Sequence, residues 1–324
     1  LTIEPGTVLK DGKLLVRGSL DADGTETDRI VFTSWRDDAY GGDSNSDGTN
    51  SAPAPEDWGP IYFGPTSGTS VINHAVIKFA GDSVYDPYPT RYWGAVAVNN
   101  SSPTISNSRF DANYRYALHL SGGSCDISGN AITGSSRAIW AVSSSFPTIT
   151  GNSIGSDNDG IYLDGSSHAT LSGNTFTDNP NYAVSLVAAA LPYVGQNTAV
   201  SRVGNEINVR SGEIGADATI YSGVTYGLGQ ITVASDRTLT VQPGAVMKLG
   251  SLLMRGTLIA QGTQDEKIVF TSWRDDAYGG DTNNNGDSSS PSREDWRGIY
   301  VGTSASILEH VMIRYGGNDW TVDG

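Results

Sequence analysis

The sequence lacks several features that define other classes of protein. Its single cysteine, Cys125, cannot form a disulfide within the chain. No stretch approaches the roughly 18 consecutive apolar residues of a membrane-spanning helix, and no secretory signal peptide begins the chain. Lysine and arginine number 20 against 35 aspartates and glutamates, a formal net charge of -15 at pH 7. This balance excludes the clustered positive charge with which proteins bind nucleic acids or anionic membranes.

Glycine, serine, threonine and asparagine dominate what is present. Glycine alone accounts for 40 of the 324 residues. Glycine and asparagine are poor helix formers and good turn formers, so a helical fold is disfavoured. Isoleucine, valine and leucine fall in short, regular clusters, which a disordered chain would not show. The composition therefore predicts an ordered all-β protein whose acidic surface suits the binding of cations.

A short repeat occupies the middle of the chain. The hexapeptides ISNSRF, ISGNAI, ITGNSI and LSGNTF begin at a constant spacing of 22 residues, at Ile105, Ile127, Ile149 and Leu171. Each is followed by another short apolar segment: ALHL, AIWAV, GIYL or AVSL. Such a period, with Gly/Asn turns, is typical of a solenoid of short strands. Asn130, Asn152 and Asn174 share one register, so we expect their amides to stack and hydrogen-bond.

A long repeat contains the short one. Residues 1–64 align without a gap on residues 239–302, and SWRDDAYGGD occurs identically at 34–43 and 272–281. We expect the chain to be a piece of a longer protein. The predicted segments are a first module without its opening strands, a connecting segment with the opening strands of the next module, and the start of a second module that repeats 1–81: residues 1–186, 187–238 and 239–324.

On these residues the chain resembles the right-handed parallel β-helix proteins, many of which are carbohydrate-binding proteins or sugar hydrolases. ISGNAI and ITGNSI carry the resemblance in the middle of the chain. The block from LTIEPGTVLK through IVFTSWRDD to DWGPIYF is similar to modules of large bacterial and archaeal cell-surface proteins. The resemblance implies an all-β, right-handed parallel β-helix with long loop insertions. It implies little about activity, because this fold hosts lyases, hydrolases, adhesins and fibres alike.

A long acidic loop separates two predicted strands in each module. It contains D-x-N-x-D-G at 43–48 and D-x-N-x-N-G at 281–286, the first half of a calcium-binding loop, whose alternate side chains point inward around the ion. The twelfth position holds Ala54 or Ser292 instead of glutamate, so this is not an EF-hand and flanking acids must supply the other ligands. The predicted Ca²⁺ ligands are Asp37, Asp38, Asp43, Asn45, Asp47, Glu56 and Asp57, and in the second module Asp275, Asp276, Asp281, Asn283, Asn285, Glu294 and Asp295.

Two alternatives for this loop stay open at the level of the sequence. One is a solvated acidic loop that binds no ion. The other is a catalytic role for the RDD sequence. Repulsion among many carboxylates in one short loop argues for a cation, and the duplication of the loop argues for a structural device. We therefore expect calcium to stabilise a chain that has no disulfides.

A column of outward-facing side chains is predicted on the middle repeats. Stacked parallel strands place equivalent residues about 4.8 Å apart. His119, Trp140, Tyr162 and Ser185 are equivalent, and Arg137 and Asp159 lie at the edge of the same face. Aromatic rings bind the apolar faces of sugars, and charged neighbours fix hydroxyls or carboxylates. The predicted ligand-binding residues are Tyr116, His119, Trp140, Tyr162 and Tyr182.

The alternative for this column is that a neighbouring loop buries the rings. The segment DSVYDPYPTRYW is long enough to lie over them, and it carries four aromatic residues of its own, Tyr85, Tyr88, Tyr92 and Trp93. An exposed column would indicate a binding surface. A covered column would indicate a hydrophobic contact within the fold.

Two functions are consistent with the sequence. The first is a non-catalytic structural or adhesive repeat protein, extracellular or on the cell surface, with Ca²⁺-stabilised modules that associate head to tail into filaments; glycan binding stays open. The second is a polysaccharide lyase or glycoside hydrolase acting on acidic polysaccharide. A lyase must neutralise a uronate, abstract a proton and protonate the leaving oxygen. The candidate residues for those roles are His119, Arg137, Asp159 and Tyr162.

Overall fold

The chain is built almost entirely of short β-strands and turns. The computed structural model describes residues 1–86, 90–156, 158–200 and 206–319. They form two compact units, Leu1–Thr170 and Leu171–Gly324, and the all-β prediction is confirmed. This division does not test the predicted segment ends at 186 and 238, which stay a prediction.

The first unit contains nineteen of the strands. In chain order they are β1 (Val8–Lys10), β2 (Leu14–Val16), β3 (Asp21–Asp23), β4 (Ile30–Thr33), β5 (Ile61–Phe63), β6 (Val71–Asn73), β7 (Ala75–Lys78), β8 (Gly81–Tyr85), β9 (Arg91–Gly94), β10 (Val96–Asn99), β11 (Thr104–Ser106), β12 (Arg109–Asp111), β13 (Tyr116–Gly123), β14 (Asp126–Ser128), β15 (Ala131–Ile132), β16 (Arg137–Ser145), β17 (Thr148–Thr150), β18 (Ser153–Ile154) and β19 (Asp159–Leu163).

Three parallel sheets wind through this unit. The first follows β1, β4, β7, β12, β15 and β18; the second follows β2, β5, β10, β13, β16 and β19; the third joins β3, β6, β11, β14 and β17. Each strand pairs with the equivalent strand of the next turn: Ile105 lies opposite Ile127, and Ile127 opposite Ile149. The predicted spacing of 22 residues is therefore confirmed as one turn of a parallel β-helix.

Buried isoleucines and a ladder of asparagines hold successive turns together. The three paired isoleucines are fully buried, and each contributes about 1.5–3 kcal/mol by leaving water. Asn152 Oδ1 accepts hydrogen bonds from Asn130 Nδ2 at 3.0 Å and from Asn130 N at 2.8 Å. In the second unit, Asn174 Nδ2 donates to Asn197 Oδ1 at 3.0 Å. The predicted stacking of amides is confirmed for Asn130 and Asn152.

A hairpin interrupts the winding of the first unit. Strands β8 and β9 pair antiparallel and pack on the second sheet, where the rings of Tyr62 and Tyr92 lie 5.3 Å apart. The hairpin starts at Gly81 and ends at Gly94, with φ of 137° and 108°. A Cβ on Gly94 would lie 2.8 Å from the Tyr116 carbonyl oxygen, so both φ and the close approach require glycine. The hairpin therefore lies directly over β13.

The second unit has the same construction. Its elements are β20 (Thr170–Ser172, which begins at the last residue of the first unit), β21 (Thr175–Phe176), β22 (Tyr182–Val187), a 3₁₀ helix (Ala188–Tyr193), β23 (Thr198–Ala199), β24 (Glu206–Arg210), β25 (Gly212–Ile214), β26 (Ala218–Ile220), β27 (Thr225–Val233), β28 (Thr238–Val241), β29 (Val246–Met254), β30 (Thr257–Gln261), β31 (Ile268–Thr271), a 3₁₀ helix (Gly286–Ser288), β32 (Ile299–Val301), β33 (Ile307–Glu309) and β34 (Val311–Ile313).

The sheets of the second unit are also parallel. One path runs through β22, β24, β27, β29, β31 and β34, and another through β26, β28, β30 and β33. The acidic loops occupy equivalent places, between β4 and β5 in the first unit and between β31 and β32 in the second. In the part of the chain that is described, no helix has the length and apolarity to cross a membrane.

Candidate functional sites

The first acidic loop brings several side-chain oxygens together. Carboxylate oxygens of Asp38, Asp43 and Asp47 lie within 4.8 Å of one another. The Asp43 carboxylate accepts hydrogen bonds from the backbone N–H groups of Asp47 at 3.2 Å and Gly48 at 2.9 Å, which curls the loop into a tight turn. Asp38 Oδ1, Asn45 Oδ1 and Asp47 Oδ1 are buried atoms without a hydrogen-bond partner among the described residues. Buried acceptors normally have partners, so these three call for a donor or a cation.

The second acidic loop has the same shape. Asp281 accepts from the backbone N–H groups of Asn285 at 3.1 Å and Gly286 at 2.8 Å. Asp276 Oδ1 and Asn283 Oδ1 are again buried without a partner within the described ranges. The repeat of these features shows that the curled loop and its unpartnered oxygens belong to the module.

Four of the predicted metal ligands, two in each unit, accept hydrogen bonds at the base of a loop and are not part of its oxygen cluster. Asp37 accepts from Thr33 Oγ1 at 2.6 Å and from Ala39 N at 3.2 Å. Asp57 accepts from Ser34 Oγ at 2.6 Å, Ala54 N at 2.9 Å and Arg36 at 2.9 Å. Asp275 and Asp295 repeat these bonds in the second unit. Their oxygens are engaged by protein donors, and their role as Ca²⁺ ligands stays a prediction.

The remaining predicted ligands differ in their surroundings. Glu56 and Glu294 are exposed and have φ of 77° and 68°, outside the group formed by Asp38, Asp43 and Asp47. Asn285 replaces Asp47 in the second loop, and its Nδ2 donates to Ser289 Oγ at 3.0 Å. The two loops therefore share a fold but differ by one negative charge in the cluster itself.

A buried pair of ionisable groups lies beside the second loop, and sequence reasoning missed it. Lys248 and Glu206 are both fully buried. Lys248 Nζ donates to the Gly280 carbonyl at 2.6 Å and lies 4.0 Å from Asp276 Oδ1. Burial raises the pKa of Glu206 to about 8, although Lys248 and Thr282 act in the opposite direction. No motif surrounds Glu206, because its neighbours come from β27, β29 and the loop after β31.

The predicted column exists in the first unit, but part of it is covered. His119 lies opposite Trp140, and Trp140 opposite Tyr162. His119 is only 3% exposed: the Tyr92 ring lies 5.6 Å from it, and Trp93 N donates to its Nδ1 at 3.2 Å. Of the two alternatives for this column, the covered one holds at His119, because the hairpin of β8 and β9 lies over it. Tyr88 lies outside the described residues.

The other residues of the column are partly exposed. Tyr116, Trp140 and Tyr162 are half-buried, and the Tyr116 and Trp140 rings lie 4.6 Å apart. Arg137 Nε donates to Asp159 Oδ2 at 2.7 Å, and its guanidinium lies 5.1 Å from the Tyr162 ring centroid. A cavity of about 480 Å³ beside this column is lined by Pro55, Asn113, Tyr114, Arg115, Tyr116, Gly134, Ser136 and Arg137. Tyr182 lies in the second unit and is also half-buried.

Two of the four candidate catalytic residues, His119 and Asp159, are buried in this geometry. Burial lowers the pKa of His119 to about 4, so the imidazole is neutral near pH 7 and the hairpin separates it from solvent. The Asp159 carboxylate is buried and paired with Arg137. The other two candidate catalytic residues, Arg137 and Tyr162, are partly exposed and contact each other.

We expect His119 to make the protein sensitive to mild acid. Its folded-state pKa of about 4 lies below the ordinary 6.5, so the neutral form stabilises the fold above pH 6.5. As the pH falls from 6.5 towards 4, this histidine becomes protonated in the unfolded state but stays neutral in the folded state. The loss approaches about 3 kcal/mol at the lower limit. Urea unfolding of wild type and His119→Gln at several pH values measures it.

The matched control is His310→Asn, which removes an exposed histidine; asparagine also tolerates the positive φ of 46° at that position. Between pH 6.5 and 4, His119→Gln should lose about 3 kcal/mol less stability than wild type, whereas His310→Asn should lose as much as wild type. Parallel curves for all three proteins would contradict the burial of a neutral His119.

The parallel sheets, the turn of 22 residues and the inward isoleucines define a β-solenoid repeat protein. Residues 93–238 match the family model described as right handed beta helix region, and the described residues have the fold of a parallel β-helix. No curated protein and no solved structure matches the chain. This fold family spans polysaccharide-acting enzymes and structural proteins, so the fold by itself does not select a function.

Proposed function

We propose that the chain is a non-catalytic structural repeat segment of an extracellular or cell-surface protein, in which each acidic loop is held by a Ca²⁺ ion. The observation that carries the proposal is the set of unpartnered buried oxygens in each loop: Asp38, Asn45 and Asp47 in the first, Asp276 and Asn283 in the second. Oxygen atoms from carboxylates and amides are the ligands that Ca²⁺ prefers.

The loops need an external source of stability. Between Ser34 and Asp57 the first loop contributes no large apolar side chain to the core, and Trp35 is 46% exposed. The lone cysteine, Cys125, is buried and free, so no disulfide closes the loop. Asp38, Asp43 and Asp47 repel one another at their short separation, and a divalent cation would convert that repulsion into attraction. Water would complete a coordination shell of about 6–8 oxygens.

An extracellular setting follows from the same reasoning. Sites built from few protein ligands on a flexible loop bind Ca²⁺ in the range of about 10⁻⁴–10⁻³ M, which is typical of extracellular modules. The long repeat favours a parent protein in which the module continues in series, with copies adjoining head to tail. The structural proposal is preferred over catalysis because His119 is buried and Asp159 is paired with Arg137.

Removal of calcium is the test. In 10 mM Ca²⁺ we expect Tm to rise by at least about 4 °C over the value in chelator, since ligand at about 10 to 100 times Kd adds about 1.4–2.7 kcal/mol at each of the two sites. Asp38→Ala should reduce this rise, because it removes one unpartnered oxygen. In chelator it should leave Tm unchanged or raise it slightly, because Asp38 Oδ1 has no hydrogen bond to lose among the described residues and its removal relieves repulsion with Asp43 and Asp47.

Asp126→Ala is the control, because Asp126 is an exposed aspartate of β14 outside both loops. It should show the full wild-type response to Ca²⁺, and Mg²⁺ at the same concentration should give a smaller rise in Tm than Ca²⁺. The proposal is wrong if Tm is the same in Ca²⁺ and in chelator. It is also wrong if Asp38→Ala and Asp126→Ala respond alike.

A further inference from the structure

A small cavity lies between β24 and the second acidic loop. Its volume is about 210 Å³, and it is lined by Pro180, Asn181, Tyr182, Glu206, Trp273, Thr282, Asn283 and Asn284. Glu206, the first residue of β24, is 0% exposed, and neither of its carboxylate oxygens has a hydrogen-bond partner within the described ranges. A buried carboxylate without partners is costly, so this one needs an explanation.

The oxygens facing this region outnumber its donors. Besides the two oxygens of Glu206, three buried oxygens accept no hydrogen bond from any described residue: Thr282 Oγ1, Asn283 Oδ1 and Asp276 Oδ1. The ammonium of Lys248 faces four carboxylates, those of Glu206, Asp275, Asp276 and Asp281. Asp275 has a second partner in Arg314 at 3.4 Å. The remaining carboxylates leave the region with an excess of negative charge and of acceptor oxygens.

We propose that Glu206, Thr282 and Asn283, with Asp276 beside them, form a divalent-cation site in which β24 supplies a ligand to the second acidic loop. This inference rests on the proposed function, since it names an additional ligand of the second ion. It goes further in assigning a ligand that lies 75 positions before Asp281 in the chain. The cavity has room for the ion together with coordinated waters, each of which occupies about 30 Å³.

The comparison of the two loops supports this assignment. The first loop gathers three carboxylates, Asp38, Asp43 and Asp47. The second loop has Asn285 where the first has Asp47, and Asp287 where the first has Thr49, so its acids are arranged differently around the curled turn. Glu206 would add a carboxylate ligand on the cavity side of this loop, where Thr282 and Asn283 also line the cavity. A neutral sugar would suit the walls formed by Trp273 and Tyr182, but it would leave the excess negative charge uncompensated.

The experiment uses the full chain in the Asp38→Ala background, so that the second site dominates the response. Isothermal titration with Ca²⁺ should show that Glu206→Gln weakens binding by at least about tenfold, the loss of one charged ligand. The matched control is Glu213→Gln, an exposed glutamate of β25 in the same unit, which should leave the affinity unchanged. Asn285→Asp added to Glu206→Gln should recover part of the affinity.

Tb³⁺ luminescence gives a second readout that does not depend on the folding of Glu206→Gln. Trp273 lines the cavity, so excitation of tryptophan should sensitise bound Tb³⁺, and Trp273→Phe should remove most of that emission while Trp35→Phe does not. Equal affinities of Glu206→Gln and Glu213→Gln, or unchanged emission in Trp273→Phe, would overturn the assignment and leave a cavity that holds water or a neutral ligand. Failure of the wild-type chain to bind Ca²⁺ at all would instead overturn the proposed function.

Discussion

Replacement of Gly123 by alanine is expected to destabilise the fold by more than about 4 kcal/mol, a loss large enough to prevent folding of the first unit at 37 °C. Gly123 ends β13 with a φ of 82°, and a Cβ there would lie 1.9 Å from the Ser101 carbonyl oxygen. That oxygen belongs to the backbone of the preceding turn, so it cannot rotate away. Urea unfolding of the purified variant, or its recovery only as aggregate, measures the effect.

Alanine substitutions at two other glycines distinguish the cost of the steric clash from the cost of the positive φ. Gly151 has a φ of 64° but nothing within 4 Å of an added Cβ, so Gly151→Ala should cost only about 1–2 kcal/mol. Gly165 has neither a positive φ nor a neighbour within 4 Å, and alanine there should be neutral or slightly stabilising. A cost at Gly123 no greater than that at Gly151 would show that adjacent turns can move apart.

Asn152→Ala is expected to cost about 3–5 kcal/mol. The Asn152 side chain accepts two hydrogen bonds from Asn130 and donates to the carbonyls of Ile127 at 2.9 Å and Thr150 at 3.1 Å. Alanine would leave these buried groups without partners, and each such loss costs about 1–3 kcal/mol. Thermal or urea unfolding would measure the change.

Ser153→Ala is the control for Asn152→Ala, because Ser153 is the next residue and its side chain is exposed. It should change the free energy of unfolding by less than about 0.5 kcal/mol. If both variants had similarly small effects, the hydrogen bonds of the asparagine ladder would not stabilise the β-helix.

The fold was predictable from the sequence because stacking imposes the same requirement on every turn. Ile105, Ile127 and Ile149 are buried at equivalent places, and Asn130 and Asn152 bond across adjacent turns. Because the same positions of every turn must be apolar or asparagine, these residue types recur in the sequence at a constant spacing. The curled acidic loop was predictable for a similar reason, since its turn depends on residues within six positions of one another.

The features that the sequence left open or missed depend on contacts that do not recur at a constant spacing. The β8–β9 hairpin covers His119 because Tyr92 and Trp93 fold back over β13, and nothing in the repeat specifies the direction of that insertion. Asp37 and Asp57 hold the loop base because their donors, Thr33 and Ser34, lie beside them in the folded loop. Glu206 was missed because its neighbours lie far along the chain.

The pairing of each turn only with its neighbours has a consequence for how such a chain can change in length. In the first unit, a strand is bonded to the equivalent strands one turn before and one turn after. Duplication or deletion of a whole turn therefore preserves every remaining interface, whereas a change of a few residues within a turn shifts the inward side chains out of register. The length of such a β-helix can therefore change during evolution in steps of one turn. Each step alters the distance between its ends while the packing of the core stays the same.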